Sequence, residues 1–391
     1  MLMPFEYRTV MEQKIEFVLM ATANSKLNFK ELCKRYKISR PTGYKWVSRF
    51  KEEGIIGLKE RSGKPLQSPL ESKKEIEEYI IDLRKSEPEW GPKKIKRIMQ
   101  NHKSESIYPF EIIPCKNTIG KILERNGLID IEKSEKSKPP LHFEYSEPNE
   151  LWQMDFKGYF AMLNNKHCHP LAILDDHSRF NIGLIACQNQ MYLTVQQALI
   201  EAFKTYGLPE RILSDNGSPW GTAGQDTETG VRSISKLEKW LITLNIKLIH
   251  GRAYHPQTQG KEERFNKTFK TEVLKYNNFK DIEHCQNYFN TWREKYNCLR
   301  PHEALDQDVP AEHYVPSARS YPDILPSVDY DSNVSVRTVK DHGVIYFMGR
   351  KVKVGKAFIG DNVGVKPTNI DGKYEVYFCN QYLRDINFKN D

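Results

Sequence analysis

No stretch of this sequence approaches the run of about 20 apolar residues that a membrane-spanning helix requires, so no helical span is expected. The opening residues MLMPFEYRTVMEQ have neither a basic start nor an apolar block, and no secretory leader is expected. The seven cysteines (Cys33, Cys115, Cys168, Cys187, Cys285, Cys298 and Cys379) include no C-x-x-C pair. Their scatter argues against a zinc module and against a disulfide framework. Free, mostly buried thiols in a reducing cytoplasm are expected instead. Nor is there a coiled-coil pattern that would fix an oligomer.

What is there is long and unevenly basic. At 391 residues the chain exceeds one ordinary core, and two to four domains are expected. Hydrophobic content of 39% beside 28% charged residues fits a soluble globular protein. The formal net charge is +8, and residues 1–138 hold 29 Lys and Arg against 20 Asp and Glu. The N-terminal third therefore carries the whole excess, which raises affinity for polyanions through counterion release.

That third reads as helices joined by short turns. Ile15, Val18, Leu19 and Thr22 stand at helical spacing in 12–23, a second helix covers 29–36, and Ser39 is placed to cap a third over 40–54. Short helix, tight turn, then a helix rich in Arg, Lys and aromatics is the helix-turn-helix pattern, although any three-helix bundle shares the spacing. On the third helix Arg40, Thr42, Tyr44, Lys45 and Arg49 face outward, within reach of phosphates or base edges, while Trp46, Val47 and Phe50 form the core stripe. A linker rich in Gly, Pro, Ser and Lys follows at 57–69. The pattern then repeats over 71–86, 91–102 and 115–129, with Asn117, Thr118 and Lys121 outward at the start of the last helix. Domains are expected at 1–64 and 65–129, each a helix-turn-helix unit, with an extended linker at 130–148.

From residue 151 the texture changes to strands. LWQMDFKGYFAM, a turn at NNK, and CHPLAILDD make a hairpin, and SRFNIGLIAC adds a third strand. Then come a helix over 194–207, a strand over 210–215, a helix around SISKLEKWLITLN, a strand over 246–250, and one long helix from about Gln257 to Lys275. Three antiparallel strands followed by helix–strand alternation is the order of an RNase H-like α/β domain, expected over 149–315. The tail, 330–391, is strand-like and punctuated by Gly343, Gly349, Gly355, Gly360, Gly364 and Gly372, which predicts a small antiparallel β-barrel. Whether it serves DNA or protein contacts is left open. The expected fold class is multidomain α/β: tandem helix-turn-helix domains, an RNase H-like catalytic core, and a small C-terminal β-barrel.

Three acids of the middle domain stand where chemistry would use them. Asp155 lies in the first strand, Asp215 ends the fourth beside a turn at Asn216 and Gly217, and Glu263 opens the long helix. The first and fourth strands are neighbours in this topology, so their carboxylates converge. Hard oxygen ligands without nearby thiols favour Mg²⁺ or Mn²⁺. Two such ions suit phosphodiester chemistry, where the attacking and leaving oxygens both need stabilising. Asp175 and Asp176, in LDDHSR, read as ordinary turn acids. Glu262 competes with Glu263, but it shares a helix face with Phe265 and Phe269, whereas Glu263 shares one with Lys267 and Lys270. Glu263 is therefore preferred, and Glu262 is read as a solvated or first-turn acid.

LWQMDFKGYF, LDDHSR, LSDNGSPWG and HGRAYHPQTQGKEERFNKTFKTEV resemble the core of bacterial insertion-sequence DDE transposases, close to retroviral integrases. The leading segment around SRPTGYKW is similar to the DNA-binding head of that group, and the resemblance extends over most of the chain. It implies that Asp155, Asp215 and Glu263 are the catalytic, metal-holding triad, with two Mg²⁺ or Mn²⁺ ions per site. It also implies cleavage at element ends and joining of 3′-hydroxyls to target DNA. Partners would be double-stranded DNA, both terminal repeats and target, and a second or further copy of the chain in a synaptic assembly at the bacterial nucleoid. Around the triad, Arg252, His255, Gln257, Gln259, Lys261, Arg264, Lys267 and Lys270 are candidate DNA contacts. Two departures stand out. Residues 216–262 form a longer interval than the family pattern carries, and no His/Cys zinc module precedes the core. A DNA-binding regulator on the same fold, or a nuclease without a joining step, are the competing readings.

Overall fold

The computed structural model describes residues 9–23, 28–60, 72–129, 145–221, 234–251 and 260–388. The chain divides between Glu71 and Ser72 into two compact units.

In the first unit α1 (Val10–Thr22), α2 (Phe29–Arg35) and α3 (Arg40–Glu53) are followed by a 3₁₀ turn at Gly54–Leu58. Each helix starts on a side-chain cap. Thr9 forms a reciprocal capping box with Glu12, Asn28 accepts from the Lys30 amide, and Ser39 accepts from the Thr42 amide. Phe17, Val18, Leu32, Cys33, Trp46 and Leu58 form the core. Gly43 lets α3 approach closely, because a Cβ there would lie 2.8 Å from the Cys33 sulfur.

The second unit begins with another trihelical bundle: α4 (Lys74–Ser86), α5 (Pro92–Ser104) and α6 (Lys116–Arg125), closed over Ile80, Ile95, Met99, Ile119 and Leu123. Pro92 stands in the first turn of α5, where its missing N–H costs nothing.

The central sheet is built from β1 (Leu151–Phe156), its short continuation β2 (Phe160–Ala161), β3 (His167–Asp175), β4 (Asn181–Cys187), β5 (Arg211–Ser214) and β6 (Lys247–His250). β3 pairs antiparallel with β1 and with β4, β1 pairs parallel with β5, and β5 pairs parallel with β6. Three antiparallel strands and then two parallel ones is the RNase H-like order. α7 (Tyr192–Tyr206) and α8 (Lys236–Thr243) cover one face, and α9 (Gly260–Phe269) and α10 (Ile282–Cys298) cover the other. The single long helix expected to run to Lys275 instead widens into a π turn at Lys270–Leu274. Thr268 and Thr271 donate their hydroxyls back to the carbonyls of Arg264 and Lys267, which competes with the regular ladder.

The C-terminal region holds β7 (Ser335–Thr338), β8 (Val344–Phe347), β9 (Arg350–Lys353), β10 (Asn362–Pro367), β11 (Lys373–Phe378) and β12 (Gln381–Asn387). The expected barrel closure is not found among the described residues. β12, β11, β10 and β7 form an open four-stranded sheet, and β8 and β9 pair with each other as a separate hairpin. The two layers meet instead through side chains, with Ile345, Phe347, Phe358, Val363, Val376 and Phe378 in one core. Among the described residues no helix is long and apolar enough to cross a membrane.

Candidate active site

Strand alternation sorts β1 into two functions. Trp152 and Met154 point into the core under α7 and α8, both fully buried. Gln153 and Asp155, one residue out of phase, meet the side facing α9, where Asn266 donates to Asp155 Oδ2 at 3.2 Å. The parallel register pairs Trp152 with Ile212 and Gln153 with Leu213, so its continuation sets Asp215 level with Asp155.

Asp215 is exposed where β5 leaves the sheet. The turn beyond it is tied down twice. Asn216 Nδ2 donates to the Gly251 carbonyl at 2.8 Å, and Gly217 and Gly221 exchange backbone hydrogen bonds of 2.6 and 2.8 Å. Gly217 has φ of 118°, a region that favours glycine. Asp155 is largely enclosed, and its carboxyl is pushed up to about 6, first by burial and then by the like charge of Asp215.

α9 brings two neighbouring acids to this face. Asn266 stands four residues after Glu262 and three after Glu263, so both flank the surface that meets Asp155. They differ sharply in exposure. Glu263 is exposed, whereas Glu262 is 4% exposed among Phe265 and Phe269. Of the two readings of Glu262, the first-turn acid holds and the solvated acid does not: it stands in the first turn of α9, and its shared periodicity with the two phenylalanines turns it inward. Burial raises the Glu262 carboxyl well above the usual carboxylate range, and the charges of Asp155, Asp215 and Asp176 add to that. Its Oε1 has no hydrogen-bond partner among the described residues.

Asp176 belongs to the same layer. It accepts from Gln153 Nε2 at 2.5 Å and from the Tyr145 amide at 3.0 Å, and it is ion-paired to Lys261 Nζ at 2.6 Å. It is thus more than the turn acid expected, while Asp175 does act as one, accepting from Ser178 and the Asn149 amide. Lys261, expected to meet DNA, has its ammonium buried against Asp176. Asp176, Gln153 and Asn266 were missed as members of the layer. The period-2 alternation that places Gln153 beside Asp155 was the available signal, whereas the link from Asp176 to Lys261 crosses 85 positions of sequence.

Of the other candidate contacts, Arg264 and Lys267 are exposed along α9 and Lys270 at the start of the π turn that follows it. Arg252, His255, Gln257 and Gln259 lie outside the described residues. On α3, Arg40, Tyr44 and Lys45 are exposed and Thr42 and Arg49 half-buried. Tyr44 stacks on Phe29 at 4.3 Å, and Lys45 lies over the Trp46 ring at 4.4 Å. On α6, Asn117 and Lys121 are exposed and Thr118 is half-buried.

The acids offer only oxygen donors, and the unsatisfied Glu262 Oε1 is the kind of atom a hard cation would satisfy. Among the described residues, the group of three potential ligands gathered within 4.8 Å lies elsewhere, at Asp308, Glu312 and His313. There Arg97 already balances Asp308 at 2.6 Å. The acids around Asp155 stand further apart.

Residues 145–256 match the family model described as integrase core domain, and residues 244–310 match a second integrase core model. The middle of the chain is therefore similar to integrase core domains. Residues 334–391 match the C-terminal domain of IS481 family transposases, residues 13–65 a helix-turn-helix domain, and residues 42–123 a homeodomain-like domain. The chain is 26% identical over 189 residues to the insertion element IS407 31.7 kDa protein of Burkholderia multivorans, covering 48% of this chain and 61% of that protein. It is 25% identical over 189 residues to the insertion element IS476 39.2 kDa protein of Xanthomonas euvesicatoria, covering 47% and 51%. A 128-residue stretch is 30% identical to the Gag-Pro-Pol polyprotein of Mason-Pfizer monkey virus, 33% of this chain and 6% of the polyprotein. The chain thus spans 61% and 51% of the two insertion-element proteins. As its motifs implied, it is similar to bacterial insertion-sequence transposases with a retroviral-integrase-like core.

Proposed function

We propose that this protein is a DDE-type polynucleotidyl transferase that binds the ends of an insertion sequence, cleaves them, and joins the 3′-hydroxyls to target DNA. The observation that carries the reading is Asp155 and Asp215 level on adjacent parallel strands, facing the acidic first turn of α9. Asp155, Asp215 and Glu263 hold the catalytic role. A pair of Mg²⁺ or Mn²⁺ ions on these carboxylates would activate the attacking hydroxyl or water and stabilise the leaving oxygen. Outer acids that each serve one ion of a pair need not gather as tightly as the ligands of a single ion, which fits their wider spacing.

The surrounding residues have distinct tasks. Asn266 orients Asp155 through its hydrogen bond. Lys261 neutralises Asp176, so that this buried acid does not add a further negative charge to a site that must admit phosphate. Arg264 and Lys267 on the exposed side of α9, with Lys270 in the π turn beyond it, serve the DNA backbone. The units at 1–64 and 65–129 read the terminal repeats, 149–315 is the catalytic domain, and 330–391 is an accessory β domain. Two ends must be handled together, so a dimer or larger synaptic assembly acts, in the bacterial cytoplasm at the nucleoid.

The choice of third acid has a second reading, favoured by the burial of Glu262 and its electrostatic contact with Asp155 and Asp215. Exposure favours Glu263, because a ligand that receives ions and DNA from solvent must be reachable. Glu262→Gln and Glu263→Gln separate the two in a metal-dependent joining assay. Loss in Glu263→Gln with activity kept in Glu262→Gln is expected. The reverse pattern transfers the role to Glu262, and activity kept in both removes α9 from the triad.

A further inference from the structure

We propose that a cleft beside Asp155 takes one unpaired nucleotide from the end of the DNA strand being processed. The cleft, of about 470 Å³, lies between the turn joining β1 to β2 and the end of α9, with Phe160, Pro170 and Leu274 in its lining. That volume is in the range of clefts that hold one small molecule. Tyr159 lines it too and is 68% exposed, its ring held edge-on against His167 at 4.9 Å.

Its position ties it to the chemistry. Lys157 stands two residues after Asp155, and its charge acts on that carboxyl. Lys270 lies one helical turn beyond Asn266, which bonds Asp155. Neither lysine forms an ion pair among the described residues, whereas Lys275, also at the rim, is bound to Glu89 at 2.9 Å. Two available cations around an apolar lining with one exposed aromatic ring suit a phosphate and a base together. A base within a duplex already has both faces stacked, so a recess of this kind favours a frayed or overhanging nucleotide.

The identity of the polymer as DNA rests on the transferase reading. The test compares binding of two probes in EDTA, which prevents turnover: a duplex with a one-nucleotide 3′ overhang, and a blunt duplex of equal length. Fluorescence anisotropy is expected to show the overhang bound about tenfold more tightly by the natural protein. Tyr159→Ala is expected to abolish that preference while keeping blunt-duplex affinity, and Tyr159→Phe to retain it. Equal affinity for both probes in the natural protein, or an unchanged preference in Tyr159→Ala, overturns the proposal. A chain that joins DNA without overhang preference sinks the cleft alone. Overhang preference lost in Tyr159→Ala of a chain that joins nothing leaves the cleft standing and sinks the transferase.

Discussion

The two faces of β1 differ in kind. Trp152 and Met154 enter a dry core with Leu199, Phe203 and Ile212, whereas Gln153 and Asp155 enter a layer holding Asp176, Lys261, Glu262 and Asn266. The first face gains stability by removing apolar surface from water. The second gathers carboxylates whose burial and mutual repulsion work against folding. Two faces of one strand with opposite effects on stability separate scaffold from chemistry, since local rules are broken where function requires it.

The largest expected effect on stability lies on the dry face. Trp152→Ala removes a fully buried ring and its hydrogen bond to Asn149, and is expected to cost about 3–5 kcal/mol in urea unfolding. Lys261→Ala comes next, at about 3 kcal/mol, because Asp176 is left buried without its cation. Loss of less than about 0.5 kcal/mol there would mean that Asp176 has another route to solvent or charge.

Asp155→Asn is expected to move stability the other way. The folded-state value of about 6 lies above the ordinary aspartate value of 3.8, so the folded protein holds the extra proton between these values. The cost of Asp155 is absent below the lower value, grows through that window, and is complete above about 6. The asparagine variant should therefore be more stable than the natural protein at pH 7, by up to about 3 kcal/mol, and equal to it near pH 3.5. Parallel denaturation curves at the two pH values check this, and a variant less stable at pH 7 breaks the contrast between the faces. The smallest effect is on α9, where Glu263→Gln should change stability by less than about 0.5 kcal/mol, since its side chain is exposed.

Much of the scaffold was readable in the sequence, because it rests on local patterns. Ser39 announced its cap, the 3.6-residue period announced the trihelical bundles, and the turn at Asn216 and Gly217 marked the end of β5. The inward face of α9 is also visible in the spacing of Glu262, Phe265 and Phe269, whereas the burial of a carboxylate on that face goes against its usual place in solvent. What stayed hidden depends on long-range packing. The pairing of Lys261 with Asp176 and the hydrogen bond from Asn266 to Asp155 join residues 85 and 111 positions apart. Five of the six C-terminal glycines lie between strands while Gly364 sits inside β10, and none carries information on whether β8 and β9 join the larger sheet.

Strand transfer of labelled, pre-cleaved element ends into a plasmid, with and without Mg²⁺ or Mn²⁺, tests the transferase most directly. Metal-dependent joining is expected in the natural protein. Several kcal/mol of lost transition-state stabilisation should lower it roughly a thousandfold or more in Asp155→Asn and in Asp215→Asn, with both variants still folded. Joining that persists in either variant, or that proceeds equally in EDTA, contradicts the assignment of these two carboxylates.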